Sequence, residues 1–200
     1  MHPSDVARTV AVVTSVADAR ALAEDCLAAL LPRRWHHVKA VGAKAEGIQQ
    51  AFDAQDGPVL AAAAWLHDVG YNPALVDTGL HALDGARWLR TVGVDERIAS
   101  LVAHHSCAWL EAEERGLGEI LAREFGRESS AAADALCYTD MTTGPDGQDL
   151  DVHDRLAEIR SRYGADHVVT RFILRAEPEI VGAVKQTERR LSAHGLRQPM

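Results

Sequence analysis

Two residues with strong metal-binding side chains, His67 and Asp68, directly follow the apolar run 59–66. Burying an imidazole or a carboxylate costs free energy unless the group is hydrogen-bonded, paired or coordinated. A divalent metal ion is a partner that suits both side chains. Further ligands of the same types occur in segments that read as helix: His37, His81, His104, His105 and Asp140. These residues together predict a metal site.

Helices must position these ligands. Alanine is abundant, only 5% of the residues are aromatic, and alternating β-branched patterns are almost absent. Local preferences therefore favour helix nearly throughout, and we predict an all-α fold. The residues expected to cap helix starts are Ser15, Asp95 and the serine pair 129–130. One helix is expected from Trp35 to about Phe52, where His37 shares a face with Val41 and Ile48. That pattern predicts that His37 points inward.

The next predicted helix is apolar on every side, which is typical of a central helix surrounded by others. It begins at residues 57–58, and the glycine and proline of 70–73 mark its end. The His67-Asp68 doublet is therefore expected in its final turn. Both side chains would lie where the central helix gives way to a loop.

Three further ligands are expected at or near helix ends. His81 precedes an apolar helix, and His105 shares an i, i+3, i+4, i+7 face with apolar residues of the helix after it. This face favours His105 over His104 as a ligand, and His104 is expected to face the substrate. Asp140 lies where a later helix enters a turn-rich loop. Asp134, near the start of that helix, is interpreted as a surface acid.

The length and composition predict one domain over 1–200, with C-terminal helices in 152–193 packed on it. The last of these helices is expected to kink or break at Pro178. A formal charge of −8 argues against a surface for duplex nucleic acid or membrane. No apolar run approaches the ~20 residues of a membrane span. Three cysteines without paired spacing suit a reducing compartment, so we expect a cytoplasmic protein. A homodimer is compatible with all of these features.

Three segments, taken in order, resemble the HD-domain superfamily of metal-dependent phosphohydrolases. They are 34–37, 64–70 and 133–140, and the resemblance spans about residues 33–145. A lone His-Asp dipeptide has no weight, but an ordered set on three helices does. Segments 81–86 and 102–106 are similar to those that carry two further histidine ligands in dinuclear members. The resemblance implies a helical bundle with a metal site between its central helices.

The resemblance also implies which residues hold one or two divalent ions such as Fe, Mn or Mg. The ligands of the first metal would be His37, His67, Asp68 and Asp140. Those of the second would be His81, His105 and the other oxygen of Asp68. A carboxylate that joins two cations lets them share a water and lower its pKa, so that hydroxide exists near neutral pH. Asp68 is thus the expected bridge.

The activity implied by the resemblance is hydrolysis of a phosphate ester or anhydride of a small molecule, with a nucleotide as the expected substrate. Catalytic roles are assigned to Asp68, His105 and His104. Lys44 and Arg87 are candidates for a cation that binds the substrate phosphate. The chain departs from a common form of the family at Tyr71, where a lysine often follows the glycine. We therefore expect no lysine contact to phosphate at that position.

Two other functions use the same scaffold. Some similar proteins are mixed-valent di-iron oxygenases that cleave a carbon bond, and the same ligand types suit that chemistry. A non-catalytic nucleotide-sensing module is the third possibility, and it would predict an incomplete ligand set. The sequence lacks the Gly-Tyr-Pro signature of the cyclic-dinucleotide branch. The apparently complete set of ligands favours an enzyme.

Overall fold

The computed structural model describes residues 15–196, and these form ten α-helices joined by loops and short 3₁₀ turns. The helices are α1 (Val16–Leu27), α2 (Pro32–Ile48), α3 (Asp56–Leu66), α4 (His81–Thr91), α5 (Glu96–His104), α6 (Ala108–Glu114), α7 (Gly118–Glu124), α8 (Ala131–Met141), α9 (Val152–Tyr163) and α10 (Val168–Ala193). No strand occurs within 15–196, where one isolated bridge joins Thr143 and Asp149. The all-α prediction is confirmed.

Helix α3 is the centre of the bundle. It packs against α1, α2, α5 and α8, and its residues from Leu60 to Leu66 are almost completely removed from solvent. An alanine-rich helix has a narrow surface, so neighbouring helices approach it closely on all sides. The end of α3 therefore delivers the His67-Asp68 doublet to the interior of the bundle.

Several predicted boundaries hold and others shift. Ser15 caps α1, Asp95 caps α5 and Ser130 caps α8, as their sequence positions indicate. Helix α2 lies closer to the N-terminus than expected, since it begins at Pro32 and ends at Ile48, and a 3₁₀ turn follows over 49–51. Helix α3 stops at Leu66, so His67 is its C-cap and not a residue of its last turn.

Helix α10 runs without a break through Pro178. The sequence predicted a kink or break there, because proline removes a helical hydrogen bond and crowds the preceding turn. Packing of α10 against α6, α8 and α9 is consistent with the helix continuing through that position. Within 15–196, no helix combines the length and the apolarity that a membrane span requires.

Two glycines set the approach of α4 to the chain that follows the doublet. The backbones of Gly70 and Gly85 are in direct contact. A Cβ atom on Gly70 would lie 1.9 Å from the carbonyl oxygen of His81 and 2.6 Å from the backbone nitrogen of Gly85. Only glycine fits at this crossing. The close approach brings His81, the first residue of α4, next to Asp68.

We expect Gly70→Ala to destabilise the fold and to push His81 away from Asp68. Overpacking a rigid backbone contact costs about 1–3 kcal/mol, and here both neighbours are backbone atoms that cannot rotate away. Chemical denaturation measures the loss, and Gly47→Ala in α2 is the matched control because a Cβ there meets nothing within 4 Å. Equal stability of Gly70→Ala and the unmodified protein would contradict this account of the contact.

Candidate metal centre

Six predicted ligands converge at one place in the bundle and form two neighbouring clusters. Cluster 1 consists of His37, His67 and Asp140, and cluster 2 of Asp68, His81 and His105. Each residue contributes a ligand atom, and within each cluster these atoms lie within 4.8 Å of one another. Five of the six are buried, and His81 is partly exposed. The ligands come from α2, the ends of α3 and α5, the start of α4, and α8.

The atoms of cluster 1 face a common point. His37 Nε2 lies 3.1 Å from Asp140 Oδ1 and 3.3 Å from His67 Nε2. His67 Nε2 is 3.9 Å from Asp140 Oδ1. These separations match the spacing of ligands around a single small cation, whose own bonds to nitrogen and oxygen are about 2.0–2.2 Å for zinc-like metals.

Asp68 lies between the two clusters and presents one oxygen to each. Its Oδ2 is 3.3 Å from His67 Nε2 and 3.8 Å from His37 Nε2. Its Oδ1 is 3.5 Å from His81 Nε2, which in turn lies 3.3 Å from His105 Nε2. This geometry is the one a bridging carboxylate requires, because each oxygen can serve a different ion.

In three of the histidine ligands, the contact of Nδ1 shows which ring nitrogen carries a hydrogen. His37 Nδ1 lies 3.0 Å from the Gly144 carbonyl, His67 Nδ1 2.8 Å from that of Ala64, and His105 Nδ1 2.6 Å from that of Val102. A carbonyl oxygen only accepts, so each Nδ1 carries the hydrogen and donates it. In the form that binds a metal, each Nε2 therefore carries no hydrogen, and these Nε2 atoms face one another or the ring of His81.

Unprotonated nitrogens about 3 Å apart, with two carboxylates beside them, repel one another unless a positive charge lies among them. A divalent cation meets this need, since both imidazole nitrogen and carboxylate oxygen are good ligands for it. The Nδ1 bonds to backbone carbonyls are also the support that metal-bound histidines ordinarily have. The donor set of both clusters therefore fits one or two divalent ions.

The carboxylates of the centre stay ionised despite their burial. Burial opposes ionisation of Asp68, but the Arg34 guanidinium and His67 hold the pKa of its carboxyl well below the ordinary range. Burial likewise opposes ionisation of Asp140, but the close contact with His37 and the nearby His67 lower its pKa. Two buried negative charges are thus available to bind cations.

The histidines of the two clusters differ in their affinity for protons. Burial lowers the pKa of His81 to about 3 and also lowers that of His105, with His67 adding to the effect on His105. Burial also disfavours the charged form of His67, but the nearby Asp68 carboxylate outweighs it and raises the pKa of His67. His81 and His105 are thus neutral near pH 7, ready to ligate, whereas His67 competes for a proton.

The chain makes an unusual turn directly after His105. Ser106 and Cys107 both adopt left-handed backbone conformations, with φ values of 46° and 63°. Such conformations are costly for residues other than glycine and are concentrated at functional sites. Here the turn directs the Ser106 hydroxyl to Asp140 Oδ2, to which it donates a hydrogen bond of 2.5 Å. Oδ1 of Asp140 is left to face His37.

A comparison with protein-family models matches residues 34–159 of the chain to the HD domain. This chain belongs to the HD-domain family. The match includes all six clustered residues and ends within α9. HD-domain proteins form a superfamily of metal-dependent phosphohydrolases and typically bind divalent metals, which agrees with the two clusters. No curated protein and no solved structure shows significant similarity to the chain.

Three side chains expected at the HD-domain site lie elsewhere. Lys44 Nζ donates to the carbonyl of Thr142 and pairs with Asp149 at 2.6 Å, so it ties down the loop after Asp140 instead of facing a substrate. Arg87 is held by Glu124 and Asp77 on the other side of α4.

His104 is the third of these corrections. Its Nε2 lies 3.0 Å from the Phe125 carbonyl, and it does not line the cleft that Asp68, His81 and Asp140 share. The cavity that it does line touches His105 but no other clustered residue. The helix α5 ends at His104, and the turn that follows carries His105 into cluster 2 while His104 points away. The expected role of His104 in facing substrate therefore has no geometric support.

The sequence did not predict a site role for Arg34, which lies beside Asp68 between the ligands and the cleft. Arg34 Nη1 donates to Asp68 Oδ2 at 2.8 Å, and its guanidinium lies 4.0 Å from the centre of the Tyr71 ring. Tyr71 itself stacks on His81 at 4.1 Å. Tyr71 thus supplies no charge, but its ring holds the Arg34 guanidinium beside Asp68. Arg34 precedes His37 by three residues, and this helical spacing was the signal for it.

A pH dependence follows from His67. Because its pKa is raised in the folded metal-free protein, its proton stabilises the fold below the unfolded value of about 6.5, and this stability is lost as pH rises through the folded value. Metal binding must displace that proton. We expect manganese to raise the melting temperature more at pH 8 than at pH 6, as measured by differential scanning fluorimetry. The exposed His153→Gln variant serves as a control, and an equal rise at both pH values would contradict the prediction.

Proposed function

We propose that this HD-domain protein is an enzyme that hydrolyses a phosphate ester or anhydride of a small molecule. The observation that carries the proposal is a cleft lined by all of cluster 2, by Asp140 of cluster 1 and by three arginines. The arginines are Arg34, Arg155 and Arg162.

The charge of the cleft favours an anionic substrate once metal is present. Among the residues that line it, the three arginines balance three carboxylates, which belong to Asp68, Glu111 and Asp140. Each divalent ion then adds two positive charges that the side chains do not offset. A strongly positive cleft within a chain of formal charge −8 attracts phosphate locally.

In this proposal cluster 1 together with Asp68 would hold one divalent ion, and cluster 2 would hold a second. Bound divalent cations supply Lewis acidity, since they lower the pKa of water and neutralise charge on a phosphoryl group. The protein side chains position the reacting groups. Arg34, fixed by Asp68 and Tyr71, is placed to bind a phosphate oxygen beside the cations.

Arg155 is the second proposed phosphate-binding cation. It is buried on α9, and its Nη1 pairs with Glu158 while its Nε has no partner. Its charge reaches Asp140, whose pKa it helps to lower. A buried guanidinium with an unused donor, lining the same cleft as the clusters, is suited to bind an anion.

The resemblance to the family points to a nucleotide as substrate, so nucleotides belong in the first substrate panel. The three free cysteines, Cys26, Cys107 and Cys137, support a cytoplasmic location. We propose that residues 1–200 form one domain and that neither duplex nucleic acid nor a membrane is a partner. Sedimentation analysis would show whether the protein forms a homodimer.

The proposed function is tested by phosphate release from esters and anhydrides with manganese, magnesium or iron, alongside metal analysis of the protein. We expect release from at least one member of the panel, and Arg155→Met should lower kcat/KM by roughly 100-fold because a preorganised donor is lost. Arg160→Met is the matched control, since Arg160 lies on the same helix, pairs with Glu177 and does not line the cleft.

Three outcomes would overturn the proposal. Filled metal sites without phosphate release from any candidate would exclude the hydrolase. Oxygen uptake that depends on ferrous iron, again without phosphate release, would identify the di-iron oxygenase alternative. Binding of a nucleotide with no turnover of either kind would favour the sensing module.

A further inference from the structure

The wall of the cleft contributed by α10 is entirely apolar. Val169, Phe172 and Ile173 line it, and their i, i+3, i+4 spacing places them on one face of that helix. Helix α10 begins at Val168, beyond residue 159, where the match to the family ends. This wall is therefore a feature of this chain that the family match does not include.

Helix α9 extends the same surface. Ile159 lines the cleft between Arg155 and Arg162, one helical turn from each. We call Ile159, Val169, Phe172 and Ile173 the apolar wall. The cleft thus has two chemically different parts: arginines and metal ligands that suit a phosphate, and the apolar wall that suits a hydrocarbon surface.

The cleft offers few neutral hydrogen-bonding groups beyond the metal ligands. Ser106 donates its hydroxyl to Asp140, and Glu111 is paired with Arg115 at 2.6 Å. Apart from the three arginines, Tyr71 and Tyr163 complete the polar lining, and no asparagine, glutamine or threonine is present among the described residues that line the cleft. A substrate whose polar groups faced the apolar wall would leave them without partners, which costs affinity.

We infer that the cleft selects a phosphate ester whose esterified group is apolar, such as an aryl or a branched alkyl group, which packs on the apolar wall. The inference rests on the proposed function and names its substrate class. A nucleotide would bring ribose hydroxyls and base edges to this wall and is expected to bind less well. Discrimination by an apolar pocket amounts to tenfold or more for even one methylene group.

The test compares two ligands that cannot be hydrolysed, phenylphosphonate and methylphosphonate, by calorimetry on manganese-loaded protein. Both carry the same charged group, so their difference reports only on the apolar part. We expect phenylphosphonate to bind at least about tenfold more tightly. Val169→Asn and Phe172→Ala should each reduce this ratio towards one. Leu174→Asn is the matched control on α10, because Leu174 is 55% exposed.

A ratio near one in the unmodified protein would overturn the inference, as would tighter binding of adenosine monophosphate than of phenylphosphonate. A ratio that neither Val169→Asn nor Phe172→Ala changes would also overturn it. Because Phe172 is buried, Phe172→Ala can impair folding. Val169→Asn then provides the test in its place. The affinity ratio is measured without turnover, so it tests this inference alone. Absence of phosphate release would instead count against the proposed function.

Discussion

Replacing Asp68 by asparagine is expected to abolish phosphate release, with a loss in kcat of more than about 1000-fold. Residues that only support a metal ligand are typically worth 10–100-fold, and Asp68 is placed to serve two ions directly. Asparagine keeps the shape and a carbonyl oxygen for Arg34 but removes the buried negative charge. Metal content, measured by plasma mass spectrometry, should fall together with activity.

Asp134→Asn is the matched control for this substitution. Asp134 belongs to α8, as Asp140 does, but it lies in neither cluster and lines the cavity next to His104. That variant should keep its metal and its activity within about twofold, as surface substitutions usually do. An Asp68→Asn protein that stays folded, retains its metal and still releases phosphate would show that the site is misplaced.

His81→Ala is expected to remove the second ion and leave the first. His81 and His105 are the only nitrogen ligands of cluster 2, whereas cluster 1 keeps His37, His67 and Asp140. The metal content should therefore fall from about two ions per chain to about one, and phosphate release by at least roughly 100-fold, because two-metal sites clamp both the attacking and the leaving oxygen.

Two further variants show whether the loss of metal is specific to cluster 2. His104→Ala should retain both ions, because the imidazole of His104 contacts Phe125 and no ligand. His37→Ala should lose the ion of cluster 1 instead. One ion in the unmodified protein, unchanged by His81→Ala, would show that cluster 2 does not bind metal.

The helices and ligands could be predicted because local patterns encode them. The apolar run before His67 predicted the central helix, and the capping residues predicted three helix starts. The periodicity of α5 favoured His105 over His104 as a ligand. In the structure His105 does point inwards, but it lies in the turn after α5 and not on the helix. The helix ends at His104, and the left-handed residues Ser106 and Cys107 turn the chain. Nothing in the periodicity of α5 predicts such a turn.

The cations were predicted poorly, because the partner of a long side chain depends on which distant segments meet. Lys44 finds Asp149, 105 positions later, and Arg87 finds Glu124. No pattern near Lys44 or Arg87 indicates these pairs. An arginine that is free to bind substrate can be recognised only once the competing carboxylates are located.

Arg34 and Arg155, in contrast, left signals in the sequence. Arg34 shares a helical face with His37, and Arg155 stands at an i, i+3, i+4, i+7 position with Val152, Leu156 and Ile159, where an apolar residue would be expected. A charged residue on the buried face of an amphipathic helix needs a reason to be there. The neighbouring acid Glu158 does pair with Arg155, but it leaves the Nε of Arg155 without a partner.

The carbonyl partners of the histidines bear on the order in which the centre is assembled during folding. His67 and His105 each bond a carbonyl only three residues earlier, so the end of a single helix orients each ring. His37 depends on the carbonyl of Gly144, which is 107 positions away. Contacts of that separation form late, because a long loop must close first. Two ligands are thus oriented as soon as their helices form, and the third waits until the chain beyond α8 has docked.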